Sequence, residues 1–191
     1  DPKRHSVGET TFLVEDYVPD RLEFDLAAPA GRIVRNAPTK LTVDGRYLYG
    51  APAAGLALEG ETTLSTTREW DRFAGYYFGL ADEQEGEATQ IPLSDLPAVG
   101  DDGKATFPVE LTALPSTTRL LNAHVTVRMR ETGGRAVERS LDLSVRPQGD
   151  IIGIRPQFSG DVPQGGTAGF KVMQADAAGT KKSVDGLQWS L

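Results

Sequence analysis

The chain has 191 residues, a formal net charge of −7 and an isoelectric point near 4.9. This acidic balance argues against nucleic acid and anionic membranes as partners, since both attract an excess of lysine and arginine. The absence of cysteine excludes disulfides, a thiolate nucleophile and zinc–thiolate sites. No apolar run approaches the roughly 20 residues of a membrane helix, so we expect no membrane insertion by this chain.

Two alternating segments that each run through a proline divide the chain. The first extends from Thr11 to Leu26 through Pro19, and the second from Ser140 to Ile154 through Pro147. Proline lacks the amide hydrogen that a sheet ladder needs, so it ends one sheet while the chain stays extended. Each proline therefore predicts a domain boundary. The predicted parts are the last strand of a preceding domain (1–19), a complete domain (20–147) and the truncated start of another (148–191).

Alternation of apolar and polar residues predicts an all-β protein built from immunoglobulin- or fibronectin-like antiparallel β-sandwiches in tandem. The clearest hairpin joins 123–131 to 137–145, because both segments alternate and the sequence Glu131-Thr-Gly-Gly-Arg135 supplies a turn between them. No segment shows a sustained helical stripe. The predicted strands are 12–16, 22–26, 40–49, 55–66, 75–80, 104–112, 123–131, 137–145, 151–155, 169–174 and 187–191.

The segment 66–102 is longer than a plain connection between strands. It carries five aromatic residues between Trp70 and Phe78, followed by the acidic run from Asp82 to Glu87. Such an insertion is either functional or decorative. We predict a long hairpin-like excursion whose aromatic residues cover a sheet and whose acidic tip lies in solvent.

The histidines and serines do not show catalytic or metal-binding patterns. Neither His5 nor His124 has a second histidine or a clustered carboxylate at the spacing of a metal site. No serine occupies the Gly-x-Ser-x-Gly turn that presents a hydrolase nucleophile. The glycine-rich run 164–169 lacks the lysine and the following helix of a phosphate loop, so it predicts a turn.

Acidic residues form two further candidate groups. Asp82, Glu83, Glu85 and Glu87 lie close in sequence, and 101–104 resembles the opening of a calcium loop. The regular ligand spacing and the downstream bidentate carboxylate of such a loop are missing. We therefore predict solvated loops, no catalytic, cofactor-binding or metal-binding residues, and a protein that is not an enzyme.

Two other functions stay open at this point. A carbohydrate-binding or adhesive β-sandwich would use Trp70, Tyr76 and Tyr77 to stack on sugars, although aromatic residues beside a sheet more often pack on it. An enzyme with clustered carboxylates would need two carboxyl groups facing each other across a sugar-binding cleft, and nothing in the sequence favours that. β-Sandwiches serve all of these functions, so the fold class alone does not choose.

Two segments resemble the bacterial alpha-2-macroglobulins. These are Phe12–Leu26, a strand that passes through a proline into the next domain, and Gly45–Leu56, with its Tyr-Leu-Tyr-Gly-Ala-Pro strand and turn. The resemblance extends over essentially the whole chain. It implies macroglobulin-like domains from the region ahead of the protease-sensitive bait segment. The later segments that fit the same family are 77–80, 125–131, 134–140 and 152–158.

The resemblance also implies a function and partners. Members of this family are similar to eukaryotic protease traps, in which cleavage of the bait releases a conformational change and a Cys…Glu-Gln thioester captures the protease in many members. That thioester is not in this chain, because the chain has no cysteine. The implied role is a non-catalytic structural module of a broad-spectrum inhibitor, in a periplasmic lipoprotein that protects the cell envelope. The implied partners are neighbouring domains of the same polypeptide, target proteases through a bait region outside this chain, and a penicillin-binding protein.

Short prolyl junctions limit the backbone freedom between domains. From this we expect Val18-Pro19 and Arg146-Pro147 to set the angle between neighbouring domains.

Overall fold

A computed structural model describes residues 21–112, 114–131, 136–183 and 186–188. In these ranges the structure is built from strands, one short 3-10 helix at Asp71–Phe73 and loops, so the predicted all-β class is confirmed. No helix in these ranges has the length and apolar character to cross a membrane. The strands are β1 (Leu22–Ala27), β2 (Arg32–Ile33), β3 (Thr39–Tyr47), β4 (Ala57–Thr67), β5 (Tyr77–Phe78), β6 (Thr89–Leu93), β7 (Lys104–Val109), β8 (Leu120–Arg130), β9 (Ala136–Val145), β10 (Ile151–Pro156), β11 (Phe170–Ala175) and β12 (Lys181–Lys182).

The strands form three sheets. Sheet A has the order β1-β3-β7, sheet B the order β2-β9-β8-β4-β6, and sheet C the order β12-β11-β10-β5. All pairs are antiparallel except β2 with β9, which is parallel. Sheets A and B enclose one hydrophobic core and together form the sandwich. Sheet C contains the strands that follow Pro147, together with β5 from the 66–102 insertion.

The alternation in the sequence determines which side chains fill the sandwich core. Phe24, Leu41 and Phe107 point inward from sheet A, and Val125 and Met129 from sheet B. Successive residues of a strand face opposite sides, so the intervening polar residues lie outside. Burial of each large side chain contributes about 1.5–3 kcal/mol.

The interior of the sandwich also explains a glycine within β3. A Cβ atom on Gly45 would lie 2.6 Å from Cε and 3.0 Å from Sδ of Met129 on the facing sheet. Contacts shorter than 3.0 Å force a neighbour to move in a densely packed interior. Glycine at this position therefore makes room for the Met129 side chain.

The predicted hairpin is present as β8 and β9. They pair in one continuous register from Leu121 opposite Val145 to Arg130 opposite Ala136. The residues 132–135 of the predicted turn lie outside the described ranges. The prolyl segment at Pro147 separates β9 in sheet B from β10 in sheet C, so this seam is not buried within one continuous sheet.

Several predicted strands differ from the observed ones. The predicted strand 75–80 contains only the two residues of β5, and Leu187 and Gln188 are not in a strand. The strands β2, β6 and β12 were not predicted. Two of these are two residues long, and β6 contains Pro92, which is tolerated because β6 pairs on one side only, with β4. The predicted strand 12–16, Pro19 and His5 lie outside the described ranges.

Candidate functional site

His124 lies in a surface pair. It is on the outer face of sheet B, where its Nδ1 is 2.8 Å from Oδ1 of Asp142 on the neighbouring strand. The same face carries Arg128, whose guanidinium binds Glu61 at 3.0 Å and Glu138 at 2.7 Å. Cross-strand polar pairs of this kind stabilise adjacent strands. His124 is therefore part of the polar outer surface of sheet B.

The segment 101–104 forms a tight turn before β7. Oδ1 of Asp102 accepts a hydrogen bond from the amide of Lys104 at 3.0 Å. The carbonyl of Gly103 accepts one from the amide of Gly45 at 2.7 Å, which ties the turn to β3. Asp102 thus stabilises the turn that it occupies. Across the ranges described above, no group of three or more histidine, aspartate or glutamate side chains is placed to hold a metal ion.

Replacement of Gly103 with alanine is expected to destabilise the sandwich through both conformation and contact. Gly103 has φ of +81°, and a Cβ there would lie 2.5 Å from the carbonyl oxygen of Gly45. The matched control is Gly31→Ala. Gly31 has φ of +62°, and a Cβ there would have no atom within 4 Å apart from those of its chain neighbours. In urea unfolding, the control should lose about 1–2 kcal/mol of its free energy of unfolding because of the positive φ. Gly103→Ala should lose about 1–3 kcal/mol more, because the added methyl group overpacks the turn. Equal losses for the two variants would contradict the proposed contact.

The acidic run is anchored at one residue. The carboxylate of Glu83 accepts hydrogen bonds from the hydroxyls of Thr117 and Thr118 and, at 3.1 Å, from the amide of Thr118. The guanidinium of Arg119 donates to the Glu83 carbonyl. The predicted solvent-exposed tip is observed for Asp82, Glu85 and Glu87. Glu83 instead fastens the insertion to the segment that enters β8.

The Glu83 anchor is expected to weaken at low pH. The hydroxyl of Thr117, followed by that of Thr118, lowers the pKa of the Glu83 carboxyl below its ordinary value. A lowered pKa in the folded state gives stability that is present above the unfolded value, about 4.3, and is lost as the pH falls through the folded value. Amide exchange at Thr118, corrected for intrinsic rates, should therefore accelerate on acidification below roughly pH 4. A Glu83→Gln variant should lose this pH dependence, and its persistence there would assign the effect to another group.

The aromatic residues of the insertion pack against sheet C. Phe73 and Phe78 are buried and Trp70 is half-buried, and Trp70 meets the two phenylalanine rings edge-on at centroid distances of 5.2 and 6.0 Å. Such arrangements add about 0.5–1.5 kcal/mol per pair beyond burial. The predicted packing role is therefore observed for these residues. The aromatic cluster consists of Phe73, Phe78, Leu120, Met173 and Ala175, with Trp70, Tyr76 and Ile151 packed against it.

Strand β5 connects the insertion to sheet C through the backbone. Phe78 pairs with Gly153 and Tyr77 with Ile154, in antiparallel register. A Cβ on Gly153 would lie 2.7 Å from Cε1 and 2.9 Å from Cζ of Phe78. Glycine in a strand interior marks the close approach of another group, and here that group is the Phe78 ring.

A polar cleft of about 600 Å³ lies beside the cluster. Its lining includes Ser65, Asn122 and Arg146 from the sandwich, Trp70 from the insertion and Ala178 from the loop after β11. The cleft therefore lies where the sandwich and the strands after Pro147 meet. The candidate functional site is this junction, made of the aromatic cluster, the β5–β10 pair and the cleft.

Sequence reasoning identified the aromatic half of the junction and missed the other half. Leu120, Met173 and Ala175 have the appearance of ordinary strand residues. Gly153 carried the one local signal, because it interrupts an isoleucine-rich strand at Ile151-Ile-Gly-Ile154. A strand glycine indicates a close approach but does not identify the approaching residue.

A family model described as the Bacterial Alpha-2-macroglobulin MG5 domain matches residues 20–147. The chain belongs to the bacterial alpha-2-macroglobulins. The family predicted from Gly45–Leu56 and related segments is thus confirmed. Alpha-2-macroglobulin of Escherichia coli K12 is 30% identical to this chain, and the match covers 93% of this chain. Alpha-2-macroglobulin of Xylella fastidiosa is also 30% identical, and the match covers 98% of this chain. The chain spans 12% of the length of each of these relatives.

Solved alpha-2-macroglobulin structures show the same fold. E. coli alpha-2-macroglobulin activated by porcine elastase is 31% identical, with a TM-score of 0.66 over 93% of this chain and 16% of that one. Salmonella alpha-2-macroglobulin reacted with methylamine is 26% identical, with a TM-score of 0.63 over 89% of this chain and 12% of that one. The chain is therefore a macroglobulin module of the bacterial alpha-2-macroglobulin type.

Proposed function

We propose that the chain is a non-catalytic structural part of a broad-spectrum protease-trapping inhibitor that protects the bacterial cell envelope. The observation that carries this proposal is the alpha-2-macroglobulin membership over residues 20–147. The E. coli relative was solved in a form activated by porcine elastase, which supports a response to proteases in such proteins. The envelope role, a periplasmic location and a lipoprotein anchor are parts of the same proposal.

A trap must convert one cut in its bait into a large motion, and this requires stiff bodies that move as units. The sandwich supplies stiffness through β3, β4, β8 and β9, which are 9 to 11 residues long and share one core. Its polar outer surface, with the ion pairs of Arg128 and of Arg46, suits a solvated spacer.

We also propose that the chain divides into three parts, 1–19, 20–147 and 148–191. The proposed partners are neighbouring modules of the same polypeptide, target proteases and a penicillin-binding protein.

The alternative of a carbohydrate-binding surface receives less support from the geometry. It requires Trp70, Tyr76 and Tyr77 to present their rings together to solvent. Tyr77 is 41% exposed, but Trp70 and Tyr76 pack against the aromatic cluster. A glycan array tests the alternative directly, since saturable binding that is lost in a Tyr77→Ala variant would favour it over the spacer role.

The experiment for the proposed function compares the chain with the full-length protein that contains it. Elastase is mixed with each, and cleavage of a large protein substrate and of a small peptide substrate is followed. The full-length inhibitor should suppress cleavage of the protein substrate and spare that of the small peptide, because a trapped protease keeps its active site. The 191-residue chain should change neither rate. Stoichiometric inhibition by the chain alone, or no inhibition by the full-length protein, would contradict the proposal.

A further inference from the structure

We propose that residues 68–79, here called the arm, form an interaction surface that holds the strands β10, β11 and β12 of sheet C in one fixed orientation on the sandwich. The partner of this surface is the sheet formed by β10, β11 and β12. The sandwich and that sheet then move as one body, with the arm and not the prolyl junction setting their angle. This inference concerns the mechanics of the chain and does not depend on protease trapping.

The covalent connection between the two parts is short and only partly restrained. The sandwich holds the chain as far as Arg146, whose amide donates to Ile33 at 2.9 Å and whose carbonyl accepts from Nε of Arg35 at 3.0 Å. Beyond Pro147, the residues 148–150 are exposed, and a Cβ on Gly149 would have no atom within 4 Å. A glycine in open space permits many backbone conformations. Pro147 alone therefore leaves the orientation of sheet C undetermined.

The arm is fastened to the sandwich at its root. It leaves the end of β4 and returns on itself, since the amide of Phe78 donates to the carbonyl of Arg68 at 2.8 Å and Glu69 bridges to Tyr77. After the return, the amide of Leu80 donates to Oγ1 of Thr118 at 2.9 Å, and Glu83 binds the same segment. The root is thus held at both ends, as a rigid support requires.

The arm contacts sheet C at separate places. Phe78 and Tyr77 pair with β10, and the phenylalanine rings cover Met173 and Ala175 of β11. Two further contacts lie away from these strands. Nζ of Lys181 lies 5.8 Å from the centroid of the Phe73 ring, and a Cβ on Gly179 would lie 2.9 Å from Cδ of Arg72. Contacts with β10, with β11 and with the segment from Gly179 to Lys181 restrict the orientation of these strands more than one hinge contact would.

Sheet C is shaped to receive this arm. A side chain at Gly153 would collide with the Phe78 ring, and one at Gly179, where φ is +79°, would collide with Arg72 and approach Cη2 of Trp70 at 3.1 Å. Two glycines thus leave the space that the arm occupies. A larger residue at Gly153 would force the Phe78 ring to move, and one at Gly179 would force the Arg72 side chain to move.

The test measures the distance between the two bodies in the 191-residue chain. The chain has no cysteine, so Ser140→Cys on the sandwich and Lys171→Cys on sheet C accept spin labels at those two exposed positions only. Double electron–electron resonance then gives the distribution of label distances. The parent, Pro147→Gly and the matched control Gly149→Ala should share one narrow distribution. Gly153→Ala should shift and broaden it.

A second variant guards against a direct effect on sheet C. Phe78→Ser removes the contact from the side of the insertion and leaves the sequence of β10 to β12 unchanged, so it should broaden the distribution as Gly153→Ala does. An unchanged distribution in both Gly153→Ala and Phe78→Ser would overturn the proposal. Broadening in Pro147→Gly equal to theirs would also overturn it, because the junction would then set the angle.

Discussion

A chain that carries Phe107→Ala is expected to lose about 3–5 kcal/mol of its free energy of unfolding. Phe107 lies on β7 opposite Leu41, is 2% exposed and fills the space between sheets A and B. Loss of the ring removes buried apolar surface and leaves a cavity that the rigid strands on both sides cannot close. Domains of this size are stable by about 5–15 kcal/mol, so this variant approaches the limit of folding.

Urea unfolding monitored by circular dichroism checks the Phe107→Ala prediction. The control is Tyr49→Ala, at an aromatic residue that is 77% exposed and stacks on Tyr47 at a centroid distance of 5.2 Å. An exposed stack contributes less than about 1 kcal/mol, so the control should remain close to the parent. A loss in Phe107→Ala no larger than that of the control would show that the two sheets do not pack as described.

Phe78→Ala is expected to detach the arm from sheet C while the sandwich stays folded. Phe78 is 1% exposed and belongs to the small aromatic cluster, which is separate from the sandwich core. The usual loss for a buried phenylalanine is about 3–5 kcal/mol, and here it falls on a cluster with only four other buried residues. The unfolding midpoint of the sandwich should therefore move far less than in Phe107→Ala, although the cluster is lost.

Trp70 reports on this detachment. The chain has two tryptophans, so Trp189→Phe leaves Trp70 as the single emitter. The emission of Trp70 should shift to the red in Phe78→Ala under native conditions, because its indole loses the edge-on contact with Phe78 and meets water. Tyr77→Ala, a change at an exposed neighbour, should leave the emission unchanged. Unshifted emission in Phe78→Ala would mean that the cluster survives without its central ring.

The sandwich was predictable from the sequence because its strands encode their own burial. Alternation over β3, β4, β8 and β9 identifies both the strand and its inward face without knowledge of the partner. The strand β2 behaves differently. Its two residues carry no periodicity and form a strand only because β9 offers an unpaired edge. Strands of this kind are determined by tertiary contacts and are invisible to local patterns.

The junction was predictable only in part for a related reason. The aromatic residues of the insertion indicated burial, and this holds for Phe73 and Phe78. Their partner, however, comes from residues about 100 positions later in the chain. Met173 is a buried residue between less buried neighbours, a pattern that many strands with one buried face share. Composition and spacing do not carry the information that these two surfaces meet.

The family resemblance added what the local patterns lacked. The turn at Tyr47–Pro52 places a stacked pair of tyrosines at an exposed end of β3, which by itself indicates a strand end and no function. The same segment resembles a motif of the bacterial alpha-2-macroglobulins. The match of the family model over residues 20–147 confirms that family. Protease trapping, protection of the cell envelope and the partners are proposals, because the chain spans 12% of the length of its curated relatives.

A double-mutant cycle between Phe78 and Met173 tests most directly whether contacts between the insertion and sheet C hold the two bodies together. Both residues flank Gly153, one on each neighbouring strand. The free energy of opening the cluster is measured by urea titration of Trp70 emission in the Trp189→Phe background, for the milder changes Phe78→Leu and Met173→Val, which keep the cluster closed in water, and for the double variant. Residues in one packed cluster should show a coupling energy of about 1 kcal/mol or more. Losses that add within about 0.3 kcal/mol would contradict the account.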